Sequence, residues 1–419
     1  MPYQRLTGWG RSLSAETEVL PYKGEILSSG IARGLGRSYG DASFLRGGQT
    51  WLMRERRRII GQEGDLFVAE AGLSLYEVIQ RVLPQGWFPP VVPGTQFVTL
   101  GGAFASNIHG KNHHVDGSFA DHVAWIDLRL PSGELRRLTP EDNLFWATAG
   151  GMGLTGVIET VALRLQRISS SYIAHTVRRA PEWDALLHYS ITEGKNYPFV
   201  VAWIDHTHPR SRGIVHLGRF AEQGELKARK AERLSVPFTP PFSLINRLSV
   251  ELIASYYWTK HREGERLTSY SEFFFPLDGI RHWNRAWGRR GFVQFQFVVG
   301  HEGGLERLWG RLQKAPARSF LTVLKWLGPQ RGPLAFSGPG WTVAIDLPAT
   351  TEVKQFLIRL TDVVIEEGGR IYLTKDSLLL PEQARAMYPE WEAFRQLKAQ
   401  IDPEGRLRSD LSQRLRLTE

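Results

Sequence analysis

Three glycine-rich segments between residues 32 and 156 constrain this chain more than anything else in it: "ARGLGRSYGDAS" (32–43), "PGTQFVTLGGAFASNIHG" (93–110) and "GGMGLTG" (150–156). Glycine lets a backbone reach positive φ and come close to a ligand, and successive amides in such loops form anion-binding nests. In the first segment Arg33, Arg37 and Ser38 add donors of the kind that hold phosphate. In the second, Gly101 and Gly102 begin a run of small residues (Ala103, Ala105, Ser106, Asn107) that leaves room for something large and flat. The third satisfies G-x-G-x-x-G at Gly151, Gly153 and Gly156, but the dinucleotide fingerprint needs a helix after it. Here "VIETVALRL" follows, β-branched and alternating like a strand, which argues against a Rossmann domain. Each segment is bordered by strand-like sequence, so one extended cofactor accounts for them better than three unrelated turns.

At 419 residues the chain exceeds one ordinary core and suggests two domains. "LSLYEVIQRVLPQG" places Leu75, Val78, Ile79 and Val82 at helical spacing, with Gly86 where a C-cap falls. "PSGE" between two strand-like runs reads as a hairpin turn. This is α+β, not an alternating βαβ string. From about residue 168 the texture changes: strand-like "PFVVAWIDH" and "GIVHLGRF" precede "LSVPFTPPFSLINRL", which reads as an extended, proline-rich loop. Two strand–turn–helix passages follow, starting at "FVQFQFVV" and "GWTVAIDLP", and the tail reads as a strand end and then helices.

Zero cysteines exclude disulfides, thiol catalysis and cysteine-ligated metals. No apolar run is long enough for a membrane-spanning helix, and the N-terminus lacks a secretory signal, so a cytoplasmic location is expected. A net charge of +9 favours anionic partners, whether nucleic acid, phosphorylated metabolites or a membrane surface. With no RNA-recognition signature or Cys/His finger, nucleic acid is not the expected one. In "ASNIHGKNHH" (105–114), His109 and His113 would share a face if the segment were helical, as a metal pair needs. Lys111 lies between them and Asp116 is the nearest acid, so no metal is expected.

Together with "LFWATAGGMGLTGVI", "EFFFPLDGIRHWNRAWG", "YLTKDS" and "AMYPEWEAF", these segments resemble the vanillyl-alcohol-oxidase (PCMH-type) family of FAD flavoproteins, and most closely its branch acting on polyprenyl-phosphoryl ribose. The likeness spans nearly the whole chain and is looser between about 170 and 265. It implies a two-part PCMH-type FAD-binding domain, residues 1–168 completed by 370–419. It further implies a substrate-binding domain, 169–369, with an antiparallel sheet flanked by helices.

The resemblance implies FAD contacts along the first loop, from Ala32, Arg33, Gly34, Leu35, Gly36 and Arg37 to Ser38, Tyr39, Gly40, Asp41 and Ala42. Gly94, Thr99, Leu100, Gly101 and Gly102 follow, then Ser106, Asn107, Ile108 and His109, with Ile158 through its main chain and Tyr372 from the tail. Many relatives tether the flavin through a histidine where Arg37 stands, so non-covalent FAD is expected. Lys375, His109 and Gln296 are the implied catalytic residues. Tyr39, Lys111, Gln294, Gln296, Lys325 and Lys375 are the implied substrate contacts. Alternation puts Gln294 and Gln296 on one strand face. One departure is Ala344, where members of that branch carry a cysteine.

The implied reaction is hydride transfer from C2′ of a polyprenyl-phosphoryl-β-D-ribose to flavin N5, giving the 2-keto sugar. This is the first half of an epimerisation to the arabinose for cell-wall arabinan, completed by a partner NAD(P)H-dependent keto-reductase. Peripheral contact with the inner face of the plasma membrane is expected from the basic 231–270 segment, read as a loop. Two alternatives stay open: an FAD-dependent alditol or aldonolactone oxidase, and a basic nucleotide- or RNA-binding module.

Overall fold

Alternating runs in the first third pair into two small sheets, in a computed structural model that describes residues 3–230 and 234–418. Strands β1 (Tyr3–Thr7), β2 (Ser14–Pro21), β3 (Gly30–Arg33) and β4 (Gln49–Leu52) form a sheet in the order β1-β2-β4-β3. Strands β5 (Ile59–Glu63), β6 (Leu66–Glu70), β7 (Val123–Arg129), β8 (Leu135–Leu138) and β9 (Val157–Arg164) form a second, in the order β5-β6-β9-β7-β8. The residues after "GGMGLTG" are thus a strand at the centre of a sheet, and the "PSGE" hairpin joins β7 to β8 with Gly133 at φ 91°.

Helix α1 (Leu75–Val82) buries the four apolar residues that its spacing singles out. Ser74 and Glu77 cap its start reciprocally: the Glu77 amide donates to Ser74 Oγ at 3.2 Å, and the Ser74 amide to Glu77 Oε2 at 3.0 Å. Helix α2 (Leu100–Ala105) begins at Thr99, whose Oγ1 accepts from the Gly102 amide at 3.1 Å.

The remaining strands build one eight-stranded sheet: β10 (Tyr172–Ala180), β11 (Phe199–Ile204), β12 (Gly213–Phe220), β13 (Gly264–Ser269), β14 (Phe292–Val299), β15 (Thr322–Leu327), β16 (Gly340–Pro348) and β17 (Arg370–Ile371). Their order is β13-β10-β12-β11-β15-β16-β14-β17. Period-two alternation divides this sheet sharply. Val293, Phe295, Phe297, Leu324, Val343 and Ile345 point to one face and join a core with the helices that follow β14 and β16. The opposite face carries Gln294, Gln296, Lys325, Thr342 and Asp346, with Gln294 directly across from Asp346.

Residues 234–270 are not one extended loop. Residues 231–233 lie outside the described set, and 236–246 are irregular as expected, but Arg247–Lys260 is a fourteen-residue helix, α3, and 264–269 is the edge strand β13. The prolines stop at 241, and Asn246 then caps a helix: the Ser249 amide donates to Asn246 Oδ1 at 3.2 Å, and the Asn246 amide to Ser249 Oγ at 2.9 Å. Ala254, Tyr257 and Trp258 dock the helix on Val177, Trp203 and Ile214 of the large sheet, on the face that carries the glutamines.

Helices α4 (Glu302–Leu312) and α5 (Thr351–Glu366) cover the apolar face, and α6 (Pro381–Met387) and α7 (Trp391–Ile401) extend that cover. The tail serves both halves of the molecule. β17 pairs with β14, while the Gly30 amide of β3 donates to Arg406 O at 2.8 Å and Arg414 pairs with Asp41.

Candidate active site

Missing side chains bring the first glycine loop against two other segments. A Cβ at Gly34 would collide with Thr99 Oγ1, and one at Gly40 with the Asp376 main-chain oxygen. The Tyr39 amide donates to Thr374 O at 3.0 Å. Gly36 sits at φ 64°, where L side chains are strained. Not every member of the loop faces outward. Arg33 turns inward, donating to Thr7 O and Ser43 Oγ at 2.8 Å each, and burial lowers its pKa to about 10. The Asp41 carboxylate is taken by Arg414 (2.8 and 2.9 Å), and Ala42 is in the core. Leu35 accepts at 3.0 Å from the Arg37 guanidinium, which lies over the Trp9 ring, and residues 32–39 are half-buried.

In the second segment Gly94 and Gly102 are exposed, whereas Leu100 is buried and Gly101 packs on Ala71. Tyr372 donates from its hydroxyl to Ser106 O at 2.6 Å, fastening the tail onto the end of α2. Asn107, at φ 38°, accepts from the Ala120 amide at 3.1 Å and leaves Nδ2 buried, without a partner among the described residues, beside a small cavity bounded by Met152, Gln330 and Tyr372. Ile108 is buried, and Ile158 lies in β9 at a register shift against β7.

The three histidines have separate jobs. His113 Nδ1 accepts from the Gly328 amide at 2.9 Å, so its Nε2–H donates to Ser118 Oγ at 2.8 Å; burial pulls its pKa down to about 3. His114 Nε2 donates to Tyr197 O at 3.1 Å. These two pin a loop. His109 is not on their helix, which runs only from His113 to Asp116; it forms a bridge with Ser118 instead.

The tautomer of His109 follows from its neighbours. Thr342 Oγ1 gives its hydrogen to Phe297 O at 2.7 Å and so must accept from Gln296 Nε2 at 3.1 Å. That fixes the Gln296 amide, whose other hydrogen goes to His109 Nε2 at 3.0 Å. The proton of His109 is therefore on Nδ1, which is buried and has no partner among the described residues. Burial holds its pKa well below that of a free imidazole, so the ring is neutral.

On the polar face of the sheet Gln294 Nε2 donates to Asp346 Oδ1 at 2.6 Å, while Oδ2 of this fully buried carboxylate has no partner among the described residues. Burial raises the Asp346 pKa, and the field of Lys375 opposes the rise. Lys375 Nζ lies 3.9 Å from the centre of the Tyr39 ring, its pKa lowered by burial and pulled back up by Asp346. Lys325 Nζ donates to Gly110 O at 3.1 Å, and Lys111 Nζ to Phe274 O at 3.1 Å. Burial lowers Lys325 to about 8; burial, then the charge of Lys325, lowers Lys111 to about 7. Three lysines from three distant segments thus share one region: the charge of Lys325 acts on both Lys111 and Lys375, and Asp346 is the carboxylate that acts on Lys375.

Asp346 is the residue that sequence reasoning missed. Its signal was present, since in "GWTVAIDLP" it shares a face with Ala344, whose place was noted. Only pairing with Gln294 reveals that this face meets the site.

Residues 29–139 match the model of an FAD binding domain. The chain is 34% identical, over 99% of its length and 98% of the relative's, to decaprenylphosphoryl-β-D-ribose oxidase of Mycolicibacterium smegmatis. It is 33% identical over 82% of its length to an uncharacterized Streptomyces coelicolor protein from the mprA 5′ region, covering all of that protein. A D-lactate dehydrogenase of Anaerostipes hadrus is 27% identical over 36% of this chain and 33% of its own. The residues fit an FAD group: Gly94 is exposed with open space where a Cβ would stand, and His109 Nδ1 and Asn107 Nδ2 are buried donors without an acceptor among the described residues. On its full-length likeness the chain belongs to the decaprenylphosphoryl-β-D-ribose oxidase family of PCMH-type, FAD-dependent oxidoreductases.

Proposed function

We propose that this enzyme oxidises the C2′ hydroxyl of a polyprenyl-phosphoryl-β-D-ribose to the 2-keto sugar. The observation that carries the reading is the convergence of Lys111, Lys325 and Lys375 on a polar sheet face with Gln294, Gln296 and Asp346. Burying three cations together is unfavourable unless an anion joins them, and a phosphorylated glycoside supplies one. An alditol or aldonolactone oxidase handles a neutral substrate and has no need of that cost.

FAD, when bound, supplies the hydride acceptor; Gly34 to Tyr39, Gly94, Thr99 to Gly102 and Ser106 to His109 are the residues that would hold it. Lys111 and Lys325 take the phosphate, and Tyr39, Gln294 and Gln296 orient the sugar. The substrate alcohol loses its C2′ hydrogen as hydride and its hydroxyl proton to Asp346 Oδ2, leaving a carbonyl. Lys375 balances the negative charge that reduction creates. His109, kept neutral and with its donor Nδ1 turned from Gln296, offers a hydrogen bond at no charge cost.

With Arg37 in place of a tethering histidine, FAD is held without a covalent bond. The keto product passes to an NAD(P)H-dependent reductase that completes epimerisation to the arabinose for arabinan, at the inner face of the plasma membrane. Anaerobic addition of a polyprenyl-phosphoryl ribose analogue to the purified protein should bleach the flavin, and acid precipitation should release the yellow colour. A flavin that stays oxidised with this analogue but bleaches with a neutral alditol would overturn the substrate assignment.

A further inference from the structure

Helix α3 turns its inner side to the large sheet and leaves the outer side bare. Leu248, Leu252 and Tyr256, spaced four apart and so in one stripe, are 67%, 62% and 63% exposed. Beside them the irregular chain before the helix exposes Phe238, Phe242 and Leu244 as well. The Leu244 amide donates to Ala286 O and Gly288 packs on Phe242, which fixes this stretch beside 286–288, and Ser249 Oγ in the first turn of α3 donates to Leu244 O at 2.8 Å, which fixes it to the helix. Singly exposed apolar residues are ordinary; six within nineteen residues of chain, three of them in one helical stripe, are not.

The charge around the set is net positive. Residues 234–290 contain eight basic side chains (Arg247, Lys260, Arg262, Arg266, Arg281, Arg285, Arg289, Arg290) and five acids (Glu251, Glu263, Glu265, Glu272, Asp278). Glu251 is paired with Arg247 at 3.1 Å. α3 is thus apolar on two sides, one docked on the sheet and one bare, as suits a helix that meets a second apolar phase. No helix among the described residues is long and apolar enough to cross one.

We propose that α3 and residues 236–246 form a docking surface for an anionic lipid bilayer. The stripe enters the acyl boundary and the arginines meet acidic headgroups. The surface adjoins the site. Tyr257, on the inner side of α3, bonds His216 at 3.0 Å, and His216 bonds His175 at 3.0 Å, on the same sheet face as Lys325 and Gln296. A bilayer held against α3 therefore lies beside the pocket, where a lipid-linked sugar can enter while its chain stays in the membrane. This last step rests on the substrate proposed above; the docking itself does not.

The test is co-sedimentation of the FAD-loaded full-length protein with vesicles of phosphatidylcholine alone or mixed with phosphatidylglycerol. Binding is expected only to the mixed vesicles, falling as salt rises from about 0.1 M to about 1 M. L248S/L252S, at exposed positions that leave the core intact, should bind at least about tenfold more weakly. Its rate on a short-chain, water-soluble substrate analogue should match wild type. Failure to bind mixed vesicles, or equal binding by L248S/L252S, overturns the proposal. So does light scattering that shows the stripe buried in a dimer lost in that variant. Vesicle binding without oxidation of the ribose analogue would sink the substrate reading and leave the docking surface standing.

Discussion

Asp346→Asn isolates the proton transfer from the fold. Asparagine keeps an oxygen where Oδ1 accepts from Gln294 at 2.6 Å, so that hydrogen bond survives. The amide nitrogen replaces Oδ2, which has no partner among the described residues, at the cost of an unsatisfied donor, about 1–3 kcal/mol. Removing a buried carboxylate offsets part of that, so the urea midpoint should move little. The chemistry should suffer far more, because losing a positioned general base slows the step by about 10²–10⁴-fold, or roughly 3–5 kcal/mol of barrier. The pH profile carries a second signature. Burial raises the Asp346 pKa, so the wild-type rate should climb with pH through an acid limb displaced upward from the ordinary carboxylate range. That limb should vanish in the variant, while the pKa of Lys375, no longer facing a carboxylate, should fall further. Anaerobic stopped-flow bleaching of the flavin, measured across pH on both proteins, reads all of this. A variant that bleaches within about threefold of wild type and keeps its acid limb would refute the assignment.

Lys325→Met should weaken binding of the phosphorylated substrate. In wild type that affinity should decline as pH passes about 7 and then about 8, where Lys111 and Lys325 lose their protons; the variant should lose the upper part of the decline. The sign for stability is opposite. Between about 8 and 10.5 the unfolded chain holds a proton on Lys325 that the folded one lacks, so the ligand-free protein should gain stability with pH there, and Lys325→Met should flatten the gain in urea titrations. Tyr372→Phe removes the hydroxyl that donates to Ser106 O and should cost about 1–3 kcal/mol in urea unfolding, with FAD retention reduced. Arg414→Met strands the buried Asp41 and Asp376 carboxylates and should cost about 3–5 kcal/mol by the same measurement.

Local pattern made much of this protein legible. The spacing of Leu75, Val78, Ile79 and Val82 specifies α1, and the alternation after "GGMGLTG" specifies β9 and dismisses the Rossmann reading. The same alternation puts Gln294 and Gln296 on one face. Such signals survive in the sequence because they depend only on the periodicity of a single element. Glycine spacing likewise marks where the backbone comes close to something, at Gly34, Gly36 and Gly40.

Only the tertiary structure decided what those positions meet. Arg33 and Arg37 look equivalent as phosphate donors, yet Arg33 serves Thr7 and Ser43 because its loop folds over β1. The prolines of the 231–270 stretch suggest a loop throughout, yet the cap at Asn246 starts α3, which its packing on the large sheet then holds. Asp346 becomes a site residue through strand pairing with Gln294, 52 positions away, and Lys111, Lys325 and Lys375 converge from separate segments. A sequence records which face a residue occupies; register and long-range packing choose its neighbours, and the neighbours set its charge and its chemistry.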